Sequence, residues 1–283
     1  MLSYMFVLPA MALNVVFFIL PFIQTLRVSF YEWSVLGEKN FIFLDNYAAL
    51  FQDHQFWVSL GFTLKYALFV TPCLFVFAFI LALLINGAFA GVNFFRSLYF
   101  APVVISMACC SMVWLWIYND LYGVLNYILE TTGIIDDPIL WMNSGETSLP
   151  AIIFMITWKM SGFTMLIILA AFQSVDEQVY EAARVDGANK ITQFFKITLP
   201  LIKPQVALAL IMSVTGSVLA FEQFSIMTKG GPSQTTTTIV HYIYNTSFKY
   251  FKMGYGSAMT VILLFILGAL SFLQYKVLKD PTK

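Results

Sequence analysis

Residues 181–204 read EAARVDGANKITQFFKITLPLIKP, a polar island of 24 residues in a chain of 283 that is 60% hydrophobic. The first half sets Ala182, Ala183, Gly187 and Ala188 among the charges of Glu181, Arg184, Asp186 and Lys190, a composition suited to close docking against another protein. The second half closes on Leu199-Pro200 and Pro204. Proline lacks an amide proton and pushes its predecessor out of the helical region, so these residues end one helix and start the next. Long apolar runs flank the island. Its reading as a loop between two membrane spans therefore decides the fold.

Only 11% of the residues are charged, where a soluble chain carries about a quarter, and mean hydropathy is +0.81. The chain reads as an all-α polytopic membrane protein. A bilayer core of about 30 Å divided by a rise of about 1.5 Å per residue asks for about 20 apolar residues per span. Six stretches meet that demand: residues 4–28, 60–86, 97–118, 148–172, 205–227 and 255–277. The first is too long for a signal-peptide core and has neither a basic leader nor an A-x-A site, so it reads as a span behind a truncated or unusual start. The whole chain, 1–283, is expected to form a single transmembrane domain.

Three polar loops join the spans on one side. The first, 34–58, carries Glu38, Lys39, Asp45, Asp53 and His54, with a short helix expected from Asp45-Asn46. The second, 119–147, has acidic residues but no Lys or Arg, and the third, 228–254, contains Gly230-Gly231-Pro232. With the island cytoplasmic, the inner set of cations is Arg96, Arg184, Lys190, Lys196, Lys203, Lys276, Lys279 and Lys283. The outer loops hold Lys39, Lys229, Lys249 and Lys252. The bias points to a cytoplasmic island and cytoplasmic termini.

Several functions are excluded by what the sequence lacks. Net charge is zero, which gives no pull toward nucleic acid, and no GxxxxGK[ST] loop is present to bind ATP. Cys73, Cys109 and Cys110 lie in apolar runs without accompanying histidine and read as core residues. No paired carboxylates, nucleophile triad or metal spacing appears, so neither catalysis nor a cofactor is assigned to this chain.

Within the island, Ser174 with Glu177 three residues on reads as a capping box, starting a helix near Val175. Gly187 is the expected corner between two short helices over 175–198. Ile191, Phe194, Phe195 and Ile197 form an apolar set expected to return to the bundle. By periodicity this is an amphipathic interfacial segment, which needs no partner.

Three ionisable residues fall inside spans, where charge is costly: Lys65, Lys159 and Glu222. Lys65 lies near the end of its span and can snorkel. Lys159 and Glu222 can pair with each other across the bundle. They can also face a central cavity and hydrogen-bond a ligand's hydroxyls while Trp158, Phe163 and Phe221 stack on its apolar faces. Glu222 lies about 27 Å beyond Pro204 along a helix, so a site at mid-membrane depth should draw on Val218, Phe221 and neighbours such as Ser225 as well.

The literal pattern adds a second line of reasoning. Glu181, Ala182, Ala183, Asp186, Gly187, Ala188, Phe194, Ile197, Leu199, Pro200 and Pro204 closely resemble the EAA signature of the permease subunits of bacterial ABC importers. Pro21 with Ser29-Phe30, Met227-Thr228 with Gly230-Gly231-Pro232, and Thr237 with Tyr244 narrow the resemblance to carbohydrate importers of the maltose and glycerol-phosphate type. The resemblance implies that 175–198 forms coupling helices in a groove of a cytoplasmic ATPase, through Glu181, Ala182, Ala183, Asp186, Gly187 and Ala188. It implies a second homologous permease, two ATPase subunits that hold ATP and magnesium, and an extracytoplasmic solute-binding protein that delivers a sugar. The setting would be the bacterial inner membrane. An ion-coupled secondary transporter using Lys159 and Glu222 is the competing reading.

Overall fold

The computed structural model describes residues 2–34, 37, 39–87 and 89–278; Glu38, Lys279 and Lys283, invoked above, lie outside the described residues. Helix α1 (Phe6–Val28) is followed by a two-stranded antiparallel ribbon, β1 (Tyr31–Glu32) with β2 (Asn40–Phe41), and by α2 (Asp45–Gln52). Next come α3 (His54–Ile85), α4 (Val92–Val104), α5 (Met107–Ile117), α6 (Val124–Thr131) and α7 (Gly145–Gln173). The island supplies α8 (Glu177–Val185) and α9 (Lys190–Gln193). The chain closes with α10 (Lys203–Val218), α11 (Glu222–Met227), α12 (Ile239–Tyr244) and α13 (Met253–Leu278).

Among the described residues, five helical stretches are long and apolar enough to cross a membrane: Phe6–Val28, His54–Ile85, Gly145–Gln173, Lys203–Met227 and Met253–Val277. The expected third span, 97–118, is not one straight helix. It is divided between α4 and α5, which meet at 95°. Ile105 is extended, and Ser106 restarts the chain by accepting the Cys109 amide at 3.2 Å, a side-chain cap that fixes where α5 begins. The expected fifth span, 205–227, is interrupted too, between Val218 and Glu222. The second begins earlier than expected because Asp53 Oδ1 accepts the amides of Gln55 at 2.9 Å and Phe56 at 3.3 Å, extending the helix back to His54.

Packing divides into two units, Met1–Ser59 with Ile239–Ala269 and Leu60–Thr238 with Leu270–Lys283. In the first, Asn46 Nδ2 donates to the carbonyls of Ser29 at 2.8 Å and Tyr31 at 2.9 Å, tying α2 to the end of α1. Asp53 Oδ2 accepts from the hydroxyls of Tyr242 and Tyr255, each at 2.7 Å. Burial alone would raise the Asp53 pKa. The two phenols and the Phe56 and Gln55 amides outweigh that and hold it below the ordinary carboxylate value. Gly254 lets the start of α13 pass the Tyr31 carbonyl, where any Cβ would overlap.

The second unit has two apolar cores. One gathers Tyr66, Trp114, Tyr118, Ile152, Met155 and Phe224, with the Phe224 ring edge-on to Tyr66 at 5.0 Å. The other gathers Ala78, Ile85, Met165, Ile168, Phe172 and Ile202, and reaches the island through Phe194. Helix α7 runs through both and approaches α4 so closely at Gly162 that a Cβ would overlap the Tyr99 carbonyl. Gly162→Ala is therefore expected to destabilise the protein by about 1–3 kcal/mol through overpacking. Gly216→Ala, with no atom within 4 Å of the added carbon, should not destabilise it. Thermal unfolding in detergent reads the difference, and equal melting of the two variants would contradict the close approach.

Candidate functional site

The four residues of α7 from Lys159 to Gly162 place two functional features on one helix face. Lys159 is 3% exposed, and its ammonium donates to the carbonyls of Pro102 at 3.2 Å, Val103 at 3.4 Å and Ile105 at 2.5 Å. These are carbonyls at the α4 end of the 95° break. Helix ends leave such groups without intrahelical partners, and a cation there also favours the helix dipole. Lys159 thus works as a C-terminal cap for α4, not as the partner of Glu222, which is exposed. Among the described residues the ion pair that forms is Arg184 with Glu181, at 3.9 Å, three residues apart and largely exposed on both sides. Such a pair contributes little.

A cleft of about 270 Å³ opens in the second unit, with Tyr66, Phe163, Thr164, Ser213, Ser217 and Gln223 in its wall and no ionisable carboxylate, Lys or Arg. Of the seven residues expected to line a substrate path, only Phe163 reaches it. Trp158 stacks near Trp114 at 5.5 Å and faces a separate crevice with Tyr99 and Ile105. Val218 is fully buried and faces another, beside Leu64. Phe221, Glu222 and Ser225 are not among the cleft residues. The reason is helical geometry: Trp158 and Phe163 are five residues apart, about 140° around α7, so they face different sides.

Two cleft residues went unnoticed in the sequence. Gln223, 5% exposed, aims its amide at the Tyr66 hydroxyl at 3.4 Å. Each sits beside an ionisable residue, Glu222 or Lys65, that drew the reading to itself. The polar groups of an otherwise apolar wall come from four helices, with Tyr66 on α3, Thr164 on α7, Ser213 and Ser217 on α10 and Gln223 on α11. The carbonyl of Ala220, inside the fifth-span interruption, accepts the Thr238 hydroxyl at 2.8 Å.

The island is a second feature with its own geometry. Ser174 does not cap α8 as expected; its hydroxyl donates to Ala171 at the end of α7. Asp176 takes the cap, accepting the Gln178 amide at 3.0 Å, so α8 begins at Glu177. The helix ends in a Schellman turn: the Ala188 amide donates to Ala183 at 2.9 Å and the Gly187 amide to Arg184 at 3.1 Å, with Gly187 at φ +76°. Asn189 then caps α9 through the Thr192 amide at 2.8 Å. The Gln193 side chain donates to Ala188 at 2.8 Å, and Tyr180 meets Thr198 at 3.0 Å, joining the two arms. Ala183 is buried; Glu181, Ala182 and Asp186 are exposed and Ala188 is half-buried. Phe194 packs inward near Phe172. Ile191, by contrast, is 71% exposed, Phe195 is 61% exposed, and Val185 is 88% exposed. The apolar set therefore splits: one ring anchors the loop, and Ile191 joins Val185 as exposed apolar surface.

Replacing the α4 cap should expose its value. Lys159→Met leaves up to three carbonyls without their donor, an expected loss of about 3 kcal/mol, and Lys159→Arg should recover part of it. Glu222→Gln should change stability by less than about 0.5 kcal/mol. An ion pair between the two would instead make Lys159→Met and Glu222→Gln comparably harmful, and thermal melts of the three variants separate the cases.

Comparison with known proteins supplies the setting. A probable ABC transporter permease, YurN of Bacillus subtilis (strain 168), is 34% identical over 281 residues, covering 98% of this chain and 96% of its own. The sulfoquinovosyl glycerol transport system permease SmoG of Agrobacterium fabrum is 34% identical over 265 residues, 93% of this chain and 85% of its own. The fold matches a chain of a bacterial alginate ABC transporter, solved with an alginate pentasaccharide-bound periplasmic protein, at a TM-score of 0.86 and 24% identity, over 100% of this chain and 95% of that one. Residues 63–280 match the family model for the inner membrane component of binding-protein-dependent transport systems. The chain belongs to that family and is a multi-pass membrane component of a binding-protein-dependent transporter.

Proposed function

We propose that the chain is the permease subunit of an ATP-driven importer for a sugar, oligosaccharide or sugar derivative, acting as one transmembrane domain by alternating access. It pairs with a second, homologous permease and two ATPase subunits, and an extracytoplasmic binding protein presents the sugar. ATP and magnesium bind on the ATPases; this chain holds no cofactor and performs no catalysis. The island and both termini face the cytoplasm of a bacterial inner membrane, with lipid around the bundle.

The observation that carries this reading is the build of the island. Its caps, Schellman turn and Tyr180 to Thr198 bond make a stiff unit, while Val185 and Ile191 leave apolar surface uncovered. A stiff projection with exposed apolar side chains suits a groove in a partner that moves it as a lever. Glu181 and Asp186 at its rim suit basic groups in that groove. The cleft is uncharged and mostly apolar, and the hydroxyls, the amide and the two aromatic rings in its wall are the groups that would meet a sugar. An ion relay through Lys159 and Glu222 has less support, since the Lys159 donors are engaged by backbone and Glu222 is exposed.

The test uses the assembled transporter in lipid. Glu181→Lys and Gly187→Pro should each reduce ATP hydrolysis stimulated by sugar-loaded binding protein by tenfold or more, about 1.4 kcal/mol of coupling, while assembly persists. Full stimulation in both variants would remove the coupling role. Sugar uptake that persists without ATP and collapses with the ion gradient would favour secondary transport instead.

A further inference from the structure

In the first unit lies a cavity of about 570 Å³, walled by the rings of Trp33, Tyr242, Tyr250 and Tyr255 with Glu32, Asp53 and Lys252 among them. The translocation cleft described above uses none of these residues. We infer that this cavity is a separate binding site for a neutral saccharide, at the helix ends where α1 finishes and α3 and α13 begin. This rests on the sugar-importer reading and adds a second site to it.

The walls are built before any ligand arrives. Ser34 pairs with Lys252 in an antiparallel bridge, the Gly254 amide donates to Trp33 at 3.2 Å, and Asn46 holds the carbonyls of Ser29 and Tyr31. Each of Tyr242 and Tyr255 spends its one proton on Asp53. Toward a ligand, then, these oxygens can only accept, as can Glu32, and Lys252 supplies a donor. Such a lining asks for a molecule rich in hydroxyl donors with apolar C–H faces for the exposed ring of Tyr250 and for Trp33.

Charge decides between a sugar and an organic cation, which aromatic boxes with carboxylates also attract. Here the cation seat on Trp33 is already filled: the Lys39 ammonium lies 4.9 Å from its ring centre and 4.8 Å from that of Tyr31. In the wall Glu32 and Asp53 stand with one cation, Lys252, and Asp53 is already engaged by the two phenols. With a lysine already on Trp33 and Asp53 engaged, a neutral polyol fits the site better than a cation.

The experiment uses the full chain in detergent, without its partners, titrated with lactose, trehalose and raffinose and, separately, with choline. Tryptophan fluorescence is followed in wild type and in Trp33→Phe, whose difference reports on this cavity alone. At least one sugar should titrate the difference signal, choline should not, and Tyr250→Ala, at a side chain 56% exposed, should weaken the sugar about tenfold. Three results overturn the site: no sugar titrates, choline titrates in its place, or a sugar titrates with a signal that neither variant changes. Uptake of the same sugars by the assembled transporter, measured in parallel, is independent of this signal. Uptake without cavity binding defeats the second site and leaves the importer reading intact; loss of both defeats both.

Discussion

The structure depends on one constraint, that a backbone broken at membrane depth must still have its polar groups paired. Each unpaired carbonyl in an apolar medium costs several kcal/mol. At the α4 to α5 break that pairing comes from Lys159, whose three contacts to Pro102, Val103 and Ile105 replace the bonds a continuous helix would have made. Its charge is tolerable for the same reason. Three carbonyl oxygens surround it in a site 3% exposed, and the dipole of α4 points its negative end at the ammonium. Gly162, one turn along, lets the two helices close to the distance at which this works.

The second interruption obeys the same rule with a weaker donor. Between α10 and α11 the Ala220 carbonyl is taken by the Thr238 hydroxyl, and Thr236 and Thr237 hydroxyls hold the Gly230-Gly231 segment nearby. The side chains after the break divide between the interior and the surface. Gln223 and Phe224 come inward while Glu222 stays exposed. Gln223 stands seven and eleven residues after Gly216 and Met212, so it keeps to their side of the cleft across the break.

This explains which parts of the molecule were legible in the sequence. The apolar runs were, because length and hydropathy are local quantities; five are apolar helices long enough to cross a membrane, and the third is two helices that meet at 95°. Gly187 was legible as a corner because a left-handed turn between two helices nearly demands glycine. The breaks were not. Pro102 and Ser106 were visible, yet a window of apolar residues averages over them, and no Pro or Gly stands between Val218 and Glu222. What fixes both breaks is a partner distant in sequence, Lys159 for one and Thr238 for the other. The choice between Ser174 and Asp176 as cap was similarly undecidable, since both are good capping residues and the answer lies in where α7 ends.

The island shows why stiffness and surface have to be considered together. Val185 and Ile191 flank the Schellman turn, whose backbone is held by the Ala188 and Gly187 amides, and both are largely exposed. Apolar side chains on a mobile loop would lose conformational entropy on docking, which would subtract from whatever contact they made. Held by two caps and a turn, they have little left to lose, and force applied to them passes along α8 and α9 without bending the joint. The far end of that path is Phe194 beside Phe172, at the end of α7, the same helix that carries Lys159 and Gly162. Under the coupling role proposed above, a displacement delivered at the turn would reach the helix that caps the break, and Lys159 would have to move with it or release its carbonyls.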